Sequence, residues 1–189
     1  MKGKIRIIGG QWRGRKLEVP DNLDLRPTPD RVRETLFNWL TMHLPESRCL
    51  DLFAGSGALG IEAISRGAKQ AVLVEKEYDI VQSLKEQVTV LATNKVEIIC
   101  ANTLAFLKRT ASAFDIVFLD PPFNSDLLLN QSCILLEQQG WLNPHALIYL
   151  EMKRGSASPQ LPDNWKIIRH KTAGQVAFFL AQKMVNDEG

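Results

Sequence analysis

Four consecutive residues, Asp120-Pro121-Pro122-Phe123, bring a carboxylate, two prolines and an aromatic ring to one point of the chain. Proline fixes φ and has no N–H, so the pair forms a stiff ledge whose carbonyls remain open to donors. Asp120 accepts hydrogen bonds, and Phe123 offers a flat face for stacking. Together they suit a planar base that carries an exocyclic NH₂. The apolar run Ile116-Val117-Phe118-Leu119 just before them reads as a buried strand. The plainer account is a strand end closed by a proline turn.

A second constellation lies upstream. The residues from Leu50 to Gly60 read as a strand, a tight glycine turn and a helix start. Gly55 and Gly57 allow close approach of backbone and ligand, and the helix N-terminus presents unpaired N–H groups. Glu75 follows Gly55 by 20 residues, at the end of the next strand-like run, where an acid can hold ribose hydroxyls. The glycine pattern alone suits a nicotinamide dinucleotide equally well. Asp51 separates the two readings. It stands four residues before Gly55. There a carboxylate would repel a pyrophosphate but could hold the ammonium group of S-adenosyl-L-methionine, directly or through water. The D-x-F-x-G-x-G pattern adds Phe53 to this cofactor set. Asn102 and Thr103, after the third strand-like run, are expected beside the adenine, although Asn102 serves equally well as a helix cap. Asp120, at the end of the fourth run, is expected on the same sheet edge near the cofactor's methyl group.

The charge distribution adds a third element. The net charge is only +2, yet residues 1–17 hold six Lys and Arg and no acid. Arg6, Arg13, Arg15 and Lys16, followed by Arg26, Arg31 and Arg33, are candidate phosphate contacts. Ile5, Ile7, Trp12 and Leu17 alternate with the charges around Gly9-Gly10, which predicts an ordered hairpin. Arg31 or Arg33 could instead pair with a local acid and order the helix start.

These residues need a scaffold. A chain of 189 residues, 45% apolar and 23% charged, is an ordinary globular composition. Strand-like runs at 48–53, 70–75, 95–100, 114–119 and 146–151 alternate with helix-like segments at 58–66, 77–92, 103–110 and 126–139. That order predicts a parallel sheet covered by helices. Trp165–Thr172 and Val176–Lys183, joined by Ala173-Gly174-Gln175, form a hairpin that puts an antiparallel strand into the sheet. Thr28 or Asp30 would cap a helix with the apolar face Val32, Leu36, Phe37, Leu40 and Leu44. The three cysteines are scattered and read as small core residues in a reducing, cytoplasmic setting. No metal-ligand spacing, apolar leader or membrane-length run is seen.

The chain resembles class I S-adenosylmethionine-dependent methyltransferases. More narrowly it is similar to the bacterial RsmD-type enzymes, which modify the exocyclic N2 of a guanine in 16S ribosomal RNA. The resemblance is carried by residues 6–15, by Arg26-Pro27-Thr28 with residues 30–39, by Asp51–Gly60, by Asp120–Phe123 and by residues 173–176. It implies a Rossmann-like α/β fold: a seven-stranded, mostly parallel sheet with an antiparallel last strand, after an N-terminal β-hairpin and helix. It also implies an RNA-contacting appendage over 1–45 and a cofactor-binding domain over 46–189. Many relatives in the superfamily have Asp where Asn102 stands. The implied partner is 16S rRNA, free or within a small subunit or assembly intermediate. The implied chemistry places Asp120, Pro121, Pro122 and Phe123 at the reacting base and needs no metal. Competing readings are an adenine-N6 methyltransferase, a nicotinamide-dependent oxidoreductase and a non-catalytic RNA-binding assembly factor.

Overall fold

The N-terminal alternation of charged and apolar residues produces a two-stranded ribbon. In the computed structural model, which describes residues 3–19, 28–122 and 125–185, β1 (Gly3–Arg6) pairs antiparallel with β2 (Lys16–Val19). Gly3 lies opposite Val19, and Arg6 opposite Lys16. The period of two sends Ile5, Leu17 and Val19 inward and leaves Lys4, Arg6, Lys16 and Glu18 exposed. A short 3₁₀ turn at Gly10–Trp12 closes the connection.

Helix α1 (Asp30–Leu40) buries Val32, Leu36, Phe37 and Leu40, the stripe that the spacing predicts. Its start differs from expectation. Pro29 occupies the N-cap position and makes no side-chain cap there. Asp30 is drawn instead to Arg33 at 2.6 Å.

From there strands and helices alternate: β3 (Arg48–Asp51), α2 (Ala58–Ser65), β4 (Gln70–Glu75), α3 (Tyr78–Val90), β5 (Val96–Cys100), α4 (Thr103–Leu107), β6 (Phe114–Leu119), α5 (Asp126–Gln138), β7 (Leu142–Lys153), β8 (Trp165–Ala173) and β9 (Val176–Lys183). Strands β3 to β9 form one seven-stranded sheet in the order β5-β4-β3-β6-β7-β9-β8. β9 runs antiparallel to both β7 and β8. The sheet is otherwise parallel, as its alternating order requires. β7 begins at Leu142, earlier than the apolar pattern suggests, because Leu142 pairs with Phe114 before the register shifts. Cys49 and Cys133 are buried, but Cys100 is exposed, since β5 is an edge strand and its side chains are only partly covered.

The chain divides into two compact units, Met1–Asn102 and Thr103–Gly189. In the first, α2 is buried on every side, including Glu62 and Ser65, which must therefore find hydrogen-bond partners. In the second, Trp141 ties α4 to the sheet: it packs on Phe106 at 4.7 Å, and its Nε1 donates to the Leu107 carbonyl at 2.9 Å. Among the described residues no helix is long and apolar enough to cross a membrane.

Candidate active site

In the first unit the glycine turn is held between two acids. β3 ends in Asp51, and the chain turns through Gly55 (φ 51°) and Gly57 (φ 77°) into α2. A β-carbon on Gly57 would sit 2.7 Å from Leu84 Cδ2 and 2.9 Å from Ile61 Cδ1, so this position excludes side chains twice over. Asp51 is only 1% exposed. Its oxygens accept from the Phe53 and Gly60 amides at 3.3 Å each. Burial raises its pKa from 3.8 to about 7, against those two hydrogen bonds and with help from the nearby Glu75 charge. An acid poised in this way gains most from a cation beside it.

Glu75 is tied directly to the turn. Its Oε2 accepts from the Gly55 amide at 3.0 Å, and its Oε1 accepts from the Lys76 and Glu77 amides at 2.8 and 3.0 Å. A carboxylate offers about four acceptor sites, so roughly one remains for a ligand hydroxyl. The sequence places Glu75 near the site but does not reveal this lacing, which joins residues 20 apart. Phe53 is half-buried beside the turn. Asn102 is exposed and immediately precedes α4, whose first residue, Thr103, is buried.

The basic hairpin is anchored on the same helix that the glycine turn begins. Glu62, in the middle of α2, accepts from the Ile8 amide at 2.9 Å and the Gly9 amide at 2.7 Å. It also pairs with Arg66 Nε at 2.8 Å. Ser65 Oγ donates to the Gly9 carbonyl at 2.6 Å and accepts from the Trp12 amide at 3.0 Å. Thus Arg6, Arg13, Arg15 and Lys16 stand exposed on an arm fastened to α2, and Arg31 is exposed on α1.

Arg33 takes the alternative role that the sequence allowed, pairing with a local acid at the helix start instead of standing free for a phosphate. It is fully buried. Its Nη2 donates to the Arg6 carbonyl at 3.0 Å and to Asp30 Oδ1 at 2.6 Å, and its Nη1 lies 3.7 Å from Glu62 Oε2. Its position on the buried stripe of α1, one residue after Val32, turns it inward, where it stitches helix to hairpin. Arg26 and Phe123 lie outside the described residues.

In the second unit, β6 delivers Asp120 at its C-terminal end. Asp120 and Pro121 are partly exposed and Pro122 is exposed. The last register pair of β6 with β7 is Leu119 with Leu150, and the next residues along these strands are Asp120 and Glu151. Glu151 is 5% exposed and accepts from the Tyr149 hydroxyl at 2.8 Å. Burial pushes the Tyr149 phenol well above its ordinary range, and the charges of Glu151 and Asp120 push it further. Sequence reasoning missed this pair. Its signal was a Tyr and a Glu at alternate positions of the otherwise apolar run Ala146–Met152.

The family model described as "Conserved hypothetical protein 95" matches residues 5–182. The ribosomal RNA small subunit methyltransferase D of Escherichia coli (strain K12) is 49% identical over 186 residues, covering 98% of this chain and 93% of its own. This chain belongs to the RsmD family. The RsmD relative of the same name in Haemophilus influenzae is 46% identical, with 96% of this chain and 95% of that one covered. A solved structure of the Escherichia coli protein yhhF superposes with a TM-score of 0.91 at 48% identity, covering 96% of this chain and 99% of that one. A solved Haemophilus influenzae structure gives 0.83 at 42% identity, covering 97% and 100%. The RsmD match includes the basic hairpin as well as the glycine turn and the proline ledge, since it begins at residue 5.

Proposed function

We propose that this chain transfers a methyl group from S-adenosyl-L-methionine to the exocyclic N2 of a guanine in small-subunit (16S) ribosomal RNA. The observation that carries the reading is Asp51, buried at the mouth of the glycine turn with its pKa raised to about 7. A pyrophosphate over this turn would meet two carboxylates, Asp51 and Glu75. The ammonium of the methionyl group is the complementary partner.

Asp51 holds that ammonium, Glu75 accepts a ribose hydroxyl, and Gly55 and Gly57 let the nucleoside lie close to the backbone. Phe53, Asn102 and Thr103 flank the adenosine. When bound, the sulfonium presents a methyl carbon that the guanine nitrogen takes by in-line displacement. The chain's own contribution is then mostly alignment. Asp120 and a proline-ledge carbonyl accept the amine's hydrogens and aim its lone pair, while Phe123 stacks on the extruded base. Asp120 or water takes up the released proton. Arg6, Arg13, Arg15, Lys16 and Arg31, with Arg26, contact phosphates around the target, so residues 1–45 act as the RNA-facing part of the enzyme. The reaction belongs to the cytoplasm, on rRNA or an assembling subunit.

The test is methyl transfer from labelled cofactor to 16S rRNA and to small subunits from a strain lacking this gene, with the labelled nucleotide mapped. Label on guanine N2 supports the reading. Label on adenine N6 would replace it with the nearest alternative, and no label on either substrate would favour a non-catalytic RNA-binding factor.

A further inference from the structure

A second basic stretch lies in the C-terminal part of the sequence. Between Met152 and Val185 there are six Lys and Arg and a single acid, Asp163. Of these cations only Lys183 forms an ion pair among the described residues, with Glu137 at 3.1 Å. Lys153, Arg154, Lys166, Arg169 and Lys171 are all exposed.

The surface is shaped as well as charged. One face of the β8–β9 ribbon is packed through Val176, Phe178 and Leu180, which are buried. The other face carries exposed His170 opposite half-buried Phe179 and exposed Thr172 opposite half-buried Ala177. The imidazole stacks on the Phe179 ring, with centroids 5.0 Å apart and planes 22° from parallel. The turn after β7 walls this face with Arg154, Ser156 and Ser158, leaving a groove of about 440 Å³ that Ile167 also lines. Lysines on an edge strand guard against strand-to-strand pairing, which accounts for Lys166, Arg169 and Lys171. It does not account for an arginine and two hydroxyls set across from a ring stack. Aromatic platforms flanked by cations are how proteins hold unpaired nucleotides.

We propose that this groove is a second RNA-contact site, taking one unpaired nucleotide of the substrate. The base packs on the His170–Phe179 stack, and its phosphate meets Arg154 with the hydroxyls of Ser156 and Ser158. The flanking lysines supply the longer-range field. The proposal rests on the reading that RNA is the substrate. It adds a contact in the second unit to those of the N-terminal arm.

The test uses the full-length protein with 16S rRNA and small subunits from a strain lacking the gene. R154Q and H170A change exposed side chains, so folding is checked by an unchanged Tm. The double variant should raise the apparent KM for RNA by roughly tenfold, leave kcat and cofactor affinity unchanged, and lower the salt slope of RNA binding by about one. Photo-crosslinking to thiouridine-substituted rRNA should label the tryptic peptide 172–183, which contains Phe179. Wild-type KM, salt slope and no crosslink in that peptide would overturn the groove while leaving the methyl-transfer reading intact. A KM raised only with assembled subunits, without a crosslink to RNA, would overturn it in favour of a protein contact. A wild-type enzyme that methylates neither substrate would fail the parent reading, and the crosslink and salt slope would then decide the groove alone.

Discussion

The Gly9 amide donates to the carboxylate of Glu62 across 2.7 Å, joining the basic hairpin to the helix that begins at the glycine turn. Glu62 is fully buried, with Arg33 buried beside it and Arg66 on its Oε1. Removing one partner of such a cluster strands the others, which costs about 3–5 kcal/mol. Glu62→Ala should therefore lower the unfolding free energy by about that amount in denaturant melts. It should also open the arm to trypsin at Arg13 and Arg15. A variant with wild-type stability and protease resistance would show that the arm is held elsewhere.

Gly10 offers a subtler probe of the same junction. Its φ is +77°, and a β-carbon there would lie 1.8 Å from the Ser65 carbonyl oxygen. Backbone must move to admit it. Gly10→Ala should displace the hairpin while sparing the sheet, so RNA KM rises severalfold and cofactor affinity stays near wild type. Equal losses in both would mean that the strain spreads through α2 into the glycine turn.

Asp51 makes cofactor binding depend on pH with a definite sign. In the free protein its pKa is raised to about 7. A bound ammonium favours the ionised form, so below about pH 7 binding must expel a proton. Affinity should weaken by about tenfold per pH unit below that point and level off above it. The stability effect runs the other way. The folded state holds this proton more tightly than the unfolded chain, whose carboxyl titrates near 3.8. Stability from this group is thus fully present below 3.8 and lost as pH rises through about 7. Asp51→Asn should flatten the affinity profile in calorimetry and raise Tm at pH 8. A flat wild-type profile would remove the proposed ion pair.

The parts of this picture that the sequence discloses are those written in short-range pattern. Alternation at residues 4–7 and 15–19 gives the hairpin, because a period of two has one folded outcome at a buried face. The apolar runs give β4, β6 and β9 to the residue. What stays hidden is partnership between distant residues. Arg33 looks like its exposed neighbour Arg31, and only the packing of α1 against the hairpin turns it inward. Nothing local in the sequence marks Glu62 as the acceptor for the amides of Ile8 and Gly9, more than 50 residues away. Tyr149 and Glu151 look like strand residues, and their pairing beside Asp120 follows from burial on β7.

That last pair gives a test of the second unit. Tyr149→Phe removes the hydroxyl that donates to Glu151 at 2.8 Å, at a carboxylate only 5% exposed. The loss should be about 1–3 kcal/mol of stability. Tyr149 is also within electrostatic reach of Asp120, so methyl transfer should fall further than stability explains, in kcat more than in KM. A kcat equal to wild type at a temperature well below Tm would confine Tyr149 to a structural part.

The sharpest prediction concerns Asp120. It ends β6, partly exposed, ahead of two prolines that carry no N–H to donate to it. Its carboxylate is therefore placed to receive donors from a ligand as well as its contacts within the protein. If it aims the guanine amine, Asp120→Ala should abolish measurable methyl transfer. Cofactor affinity should change by less than about threefold, since its oxygens face the base and a lost contact to the cofactor would cost more. Asp120→Asn keeps one acceptor and loses the charge. Partial activity in Asp120→Asn, with none in Asp120→Ala, would assign the residue to positioning. Equal inactivity in both, with a solvent isotope effect on wild-type kcat, would assign it to proton uptake as well. Full activity in Asp120→Ala, measured in single turnover with saturating cofactor and rRNA, would remove Asp120 from the reacting site.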